Sequence, residues 1–203
     1  MNTAVYPTDK SLNSIVHPMV KRRSYTLRAR AESVEATRRA IVEAALALHE
    51  ELGPLRTSIS AIAERAGVQR LTVYRHFPDE VSLYRACGGL HRERHPFPDA
   101  ARWRQTPPRA ALEELYRHYR ATAPMWSRVL RDAEESQALR VAAEPRFRFL
   151  RDARDALAAH ARGPHGKAVA AHVAAFGTWR SMTGEGLTDE EAARVAADWL
   201  ASG

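Results

Sequence analysis

The stretch Thr57–Tyr84, TSISAIAERAGVQRLTVYRHFPDEVSLY, decides the fold. Ile59, Ile62, Ala63 and Ala66 recur at helical spacing over a short segment, Thr57 or Ser58 stands where an N-cap belongs, and Gly67 stops it. A second short segment, Gln69–His76, places Val73 and Phe77 on one face before Pro78-Asp79 breaks it. Helices of about eight residues are not stable alone in water, so both must pack on a partner. Upstream, from Ser33, the residues Ile41, Ala45, Leu48 and Leu52 form one apolar stripe that Gly53-Pro54 ends, and this helix is the partner. Two short helices joined through a glycine-containing turn, the second with a polar free face, make the helix-turn-helix arrangement. With Val73 and Phe77 inward, Arg70, Leu71, Thr72, Tyr74, Arg75 and His76 fall at or near the opposite face, where side chains can enter a major groove.

Residues 1–32 carry Pro, Ser, Asn and Thr with a basic cluster at Lys21, Arg22 and Arg23; without sustained periodicity they read as a flexible basic N-terminal tail. Downstream, Asp79 is the N-cap of a fourth helix bearing Val81, Leu83, Tyr84 and Leu90, which ends by His95 because Pro96 and Pro98 follow. The module changes there, dividing the chain into 1–32, a DNA-binding unit over 33–97, and a helical unit over 98–203. In the last, Pro107-Pro108 opens a helix with Leu112, Leu115, Tyr116 and Tyr119 that Pro124 is expected to close. Further helices are expected from Met125 to Val141, from Pro145 to Ala161 and from Lys167 to Met182. The final one follows a capping box, Thr188-Asp189-Glu190-Glu191, with Ala192, Val195, Ala196 and Trp199 on one face. The reading is an all-α chain of about nine helices: an N-terminal three-helix helix-turn-helix head plus a C-terminal helical ligand-binding and dimerisation domain.

A length of 203 residues suits two modules. No apolar run is long enough to span a membrane, and the polar start with Asp9 and Lys10 lacks the apolar core of a secretory signal, so a cytoplasmic protein with no membrane partner is expected. The single cysteine, Cys87, excludes an intrachain disulfide framework and reads as a small buried hydrophobe. Net charge is +7, with 11 basic against 6 acidic residues over 21–78, and all basic residues but Lys10, Lys21 and Lys167 are arginine. Such a balance suits a polyanion. An Arg-rich amphipathic protein can also bind an anionic membrane surface, but the ordered turns at Gly67 and Pro78 favour the head described above.

Enzymatic signatures are weak. His91 and His95 share a helix face at i, i+4 as metal ligands do, yet no third ligand is identifiable, the order is not HExxH, and flanking arginines disfavour a cation. Without a glycine-rich phosphate loop, a GxSxG elbow or a defined carboxylate pair, the expectation is no enzyme, no metal and no cofactor.

Thr57–Tyr84 resembles the DNA-binding head of TetR-family regulators, through the Ala63/Ala66/Gly67/Val68 turn, the Thr-Val-Tyr-Arg-His-Phe run from Thr72, and Leu83. The resemblance covers roughly residues 38–90 strongly and, by helix count and the capped last helix, the rest loosely. It implies a homodimeric repressor on a palindromic double-stranded DNA operator, released by an unidentified small-molecule effector. It further implies that Tyr74 and His76 grip phosphates, that Gln69, Arg70, Leu71 and Thr72 face bases or flanking phosphates, and that Thr57 contacts phosphate. Arg70 is the candidate for bidentate contact with guanine. Leu71 stands where the family usually has a small or polar residue, and either a thymine methyl or its own head is its partner. Glu80 replaces a Lys or Arg of many relatives and repels phosphate, so Arg28, Arg30, Arg38 and Arg39 are expected to compensate, reaching an adjacent minor groove.

One short reading helix covers few base pairs, which calls for two half-sites and a two-fold dimer. The last two helices supply the expected interface, with Val169, Val173, Val195 and Trp199. Tyr116, Tyr119, Trp126, Phe147, His172, Phe176 and Trp179 suit an apolar effector pocket with polar handles, linked to the head by the fourth helix.

Overall fold

The computed structural model describes Met1 and residues 19–202, with 19–26 as backbone only. Among the described residues ten α-helices follow one another: α1 Met19–Leu52, α2 Ile59–Arg65, α3 Arg70–His76, α4 Glu80–Arg94, α5 Pro108–Ala133, α6 Gln137–Ala142, α7 Glu144–Ala158, α8 Gly166–Val173, α9 Phe176–Gly184 and α10 Asp189–Ser202. Short 3-10 turns at Pro54–Arg56 and Ala100–Arg104 complete the regular structure, and no strand occurs among the described residues. The chain is all-α, as its periodicity predicts.

Two compact units divide the chain after Arg38. In the first, α1 begins at Met19, well before the periodic start at Ser33, so residues 19–32 are helical where a flexible tail was expected. Alanine, arginine and glutamate between Leu27 and Glu32 are strong helix formers, and propensity needs no apolar stripe. An Arg28–Glu32 ion pair of 3.0 Å and a 2.9 Å hydrogen bond from the Thr37 hydroxyl to the Ser33 carbonyl brace this part at i, i+4. Residues 2–18 of the expected tail, Asp9 and Lys10 among them, lie outside the described residues.

In the second unit the head forms around Ile41, Ala45 and Leu48 of α1, which bury against Ile62 and Ala63 of α2, Val73 of α3, Phe77, and Leu83 and Cys87 of α4. Leu52, assigned to that stripe from its spacing, is 45% exposed because the helix ends there. Ser58, not Thr57, caps α2, its hydroxyl oxygen accepting from the Ala61 N–H at 3.1 Å. After α2, Val68 N–H bonds Ala63 O at 2.9 Å and Gly67 N–H bonds Glu64 O at 3.1 Å, with Gly67 at φ +66°. This pair is a Schellman stop, and the positive φ is why a glycine stands there. Asp79 caps α4 by accepting from Ser82 N–H at 2.7 Å. Arg65 and Glu51 clamp α2 to α1 with two bonds of 2.6 and 2.9 Å.

The remaining helices wrap α5. Pro124 does not close that helix; it lies inside it. The N–H that proline lacks would have bonded the carbonyl of Arg120, and both residues lie on the exposed face, while Tyr119, Thr122, Met125 and Trp126 stay buried on the inner face. The helix expected from Met125 to Val141 is accordingly the end of α5 followed by the separate α6, which Ser136 caps. The helix expected from Lys167 to Met182 is two, α8 and α9. The break coincides with two carbonyls taken by side chains: Tyr116 donates to Val173 O at 2.8 Å and Tyr119 to Ala174 O. The capping box at α10 forms as expected, with Thr188 N–H to Glu191 at 2.9 Å and Glu191 N–H to Thr188 Oγ1 at 3.2 Å. Asp189 then joins α10 to α5 and α9, receiving Arg120 at 2.7 Å and Trp179 Nε1 at 2.9 Å.

Candidate functional site

The turn between α2 and α3 fixes which face of α3 is free. Val73 and Phe77 are buried, leaving Gln69, Arg70, Leu71, Tyr74 and Arg75 exposed and Thr72 and His76 half-buried at the edges. Leu71 is 71% exposed, which decides between the alternatives left open by the sequence: it does not pack on its own head. Thr57 differs from its expected role. Its hydroxyl donates to Gly53 O at 2.8 Å and its N–H to Pro54 O at 3.2 Å, so neither donor points to a partner outside. Ser58, exposed at the start of α2, still has its hydroxyl hydrogen to offer and was missed because two adjacent hydroxyl residues are indistinguishable by spacing. In the first unit Arg28 is paired with Glu32, Arg30 is exposed and Arg38 is half-buried. Glu80 is exposed in the first turn of α4.

A cavity of about 90 Å³ lies between α1, α4, α5, α6 and α7, lined by Tyr84, Cys87 and His91 of α4, Met125 and Trp126 of α5, and Arg146 of α7. Trp126 is the one expected pocket residue that reaches it. Phe147 packs behind Trp126, with ring centroids 5.8 Å apart. Tyr116 and Tyr119 are fully buried with their hydroxyls on the α8–α9 break, and Phe176 and Trp179 stack around Tyr119 at 5.4 and 5.9 Å. His172 is exposed beside Trp199, at 5.9 Å. These residues build the core or the outer surface and leave the cavity to others.

Arg146, which lines the cavity, was not foreseen. In an Arg-rich chain one more arginine carries no signal by identity; its register does, because Arg146, Phe149, Ala153 and Ala156 share the buried stripe of α7. Burial lowers its pKa to about 10. Burial first, then the neighbouring Arg146, holds His118 at about 3, and burial with His95 next to it holds His91 at about 4. His49, also on the cavity wall, is lowered by burial to about 4, against the opposing charge of Asp132. Burial pushes the Cys87 thiol up to about 12, so it lines the cavity as a hydrophobe. His91 and His95 sit with rings 4.9 Å apart, and no group of three His, Cys, Asp or Glu able to hold a metal occurs among the described residues.

The expected interface residues separate into two groups. Val173 is fully buried inside the core beneath α8, which removes it from any outer face. Val169 and Val195 are half-buried, and Trp199 is 40% exposed.

A helix-turn-helix head with its reading helix free, on an all-helical core, is the build of a DNA-binding transcription regulator. Residues 41–87 match the family described as bacterial regulatory proteins, tetR family. The matched residues are those of the head, which is similar to the DNA-binding head of that family. Among solved structures, the chain is similar to a HlyIIR mutant protein carrying a linker with two thrombin sites (TM-score 0.61, 16% identity, 84% of this chain and 100% of that one). A second HlyIIR mutant, with a GSSGSSG linker, gives a TM-score of 0.58 at 17% identity over 82% of this chain and 96% of that one. At such identities the likeness is one of fold. No curated protein matches the chain. No helix among the described residues is long and apolar enough to cross a membrane.

Proposed function

We propose that the protein is a cytoplasmic repressor that binds a palindromic operator as a homodimer and is released when a small molecule occupies the α4–α7 cavity. The observation that carries this reading is the free face of α3, where two arginines, a leucine and a tyrosine stand exposed on a helix whose other face is fully buried. Arg70 reads a guanine edge, Leu71 meets a thymine methyl, and Gln69, Thr72, Tyr74, Arg75 and His76 hold the flanking backbone. Ser58 takes the phosphate role first given to Thr57. Val169, Val195 and Trp199 on α8 and α10 form the two-fold interface. Release follows because α4 runs from the head at Asp79 to the cavity wall at His91, so a ligand that prefers one placement of α4 shifts the population of heads able to bind.

Gel-shift titration with DNA flanking the gene tests this reading. Retention should survive excess random DNA, and Arg70→Ala should lose about 1–3 kcal/mol on the specific site and much less on random DNA. An Arg70→Ala protein weakened equally on every sequence refutes the base-reading role.

A further inference from the structure

The α4–α7 cavity holds an unbalanced charge. Arg146 is only 7% exposed, and its Nη1 lies 2.6 Å from His118 Nε2. An unprotonated Nε2 accepts from the guanidinium, so this partner brings no negative charge. The other edge of the guanidinium, Nε with Nη2, has no hydrogen-bond partner, and neither has Trp126 Nε1. Aromatic rings surround the group, Trp126 at 4.5 Å, Tyr119 at 5.4 Å and Phe97 at 5.8 Å from Cζ. Among the described residues, no aspartate or glutamate lines the cavity. Asp132, one turn beyond Val129, is already engaged by Arg131 Nε at 2.7 Å and by the Leu55 N–H at 3.0 Å.

Burying a cation with donors unmet is costly, and chains keep such an arrangement where something completes it. The free Nε–Nη2 edge is the side of guanidinium that takes a carboxylate through two parallel bonds. Rings on the other sides offer apolar walls and, through their faces, further stabilisation of the cation. We propose that the effector is a small organic acid whose carboxylate displaces the side chains packed over the Nε–Nη2 edge of Arg146, docks on that edge and accepts from Trp126 Nε1, with its hydrocarbon part among the aromatic walls. This rests on the effector reading above and supplies the ligand class. A volume of about 90 Å³ is smaller than the dry cavity of about 150 Å³ that accommodates benzene, so the buried part is limited to a few carbons and a ring would enter only in part.

The test is calorimetric titration of the full chain with butyrate against butyramide, benzoate against benzamide, and inorganic phosphate, run beside anisotropy of labelled DNA from the flanking region. One acid should bind roughly tenfold or more tightly than its amide, because only the acid forms the charge-assisted pair. Arg146→Met should abolish that preference, and the same acid should release the DNA. Equal binding of acid and amide, phosphate binding as tightly as either acid, a preference that persists in Arg146→Met, or no binding by any acid overturns the organic-acid assignment. DNA release by an amide alone leaves the effector reading standing without it. Acid binding that leaves DNA affinity unchanged keeps the acid site and overturns the effector reading instead. Should Arg146→Met fail to fold, the acid–amide comparison on the unaltered protein decides.

Discussion

Gly53→Ala is the sharpest test of how the head is held. Gly53 sits between α1 and the Pro54–Arg56 turn at φ +101° and ψ 152°, a backbone region essentially reserved for glycine, where another residue costs about 1–3 kcal/mol. A Cβ there would also press on Arg131 Nη2 and come within 2.8 Å of Asp132 Oδ2. The arginine end is half-exposed and can swing away. Asp132 cannot, because its side chain is 5% exposed and its Oδ2 accepts the Leu55 N–H. Weakening that bond adds about 1 kcal/mol, for a total of about 2–4 kcal/mol. Urea unfolding followed by far-UV circular dichroism, at equal protein concentration for all variants, measures this. Gly89→Ala is the internal control: its Cβ meets nothing within 4 Å on helical backbone in α4, so it should stabilise by about 0.5–1 kcal/mol. A Gly53→Ala protein within about 0.5 kcal/mol of the original would refute both the backbone argument and the Asp132 contact.

Three further outcomes follow from side chains described above. His49, His91 and His118 are neutral in the folded protein to pH about 4, 4 and 3, whereas unfolded histidine protonates near pH 6.5, so unfolding takes up protons in acid. Stability is therefore full above about pH 6.5 and falls as pH drops towards 4, and His49→Gln should flatten that fall in a pH series of urea midpoints; an unchanged profile counts against a buried neutral His49. Tyr116→Phe leaves the Val173 carbonyl without its 2.8 Å donor and should cost about 1–3 kcal/mol by thermal unfolding, with no loss meaning the α8–α9 break needs no such bond. If the proposed homodimer uses the α8–α10 face, Trp199→Arg should sediment as monomer and lose specific DNA retention, while a variant that still sediments as dimer moves the interface elsewhere.

The head was legible because its signals are local. Ser58, Gly67 and Asp79 act through hydrogen bonds to residues within five positions, so the sequence around each contains both partners. The capping box at Thr188 is readable for the same reason. Where partners come from far along the chain, the reading fails. Nothing near Ala174 announces the break in the eighth expected helix, because the side chains that take its carbonyls are a pair of tyrosines on α5. Pro124 misled in the opposite sense, since whether a proline ends a helix depends on which face loses the bond. The cavity wall is assembled from five helices, α1 and α4 to α7, and large aromatic residues such as Tyr119 and Trp179 belong to the core beside it. Between residues 19 and 32 the helix is carried by helical propensity rather than by apolar periodicity.

The turn at residues 53–55 also sets terms for engineering. A head can be grafted onto another core with the junction placed in α4, which connects the two. Here the first turn after α1 is bonded to α5 independently of α4: Leu55 to Asp132 at 3.0 Å, and the Glu51 carbonyl to Arg128 at 3.1 Å. A graft cut only within α4 would bring in a foreign residue at 53, and any Cβ there presses on Asp132 and strains the turn that delivers the Leu55 N–H to it. A chimera that carries Gly53, Pro54 and Leu55 with the Arg128–Asp132 segment should keep ligand response and DNA release in one cooperative unit. One that separates them should fold as two uncoupled halves.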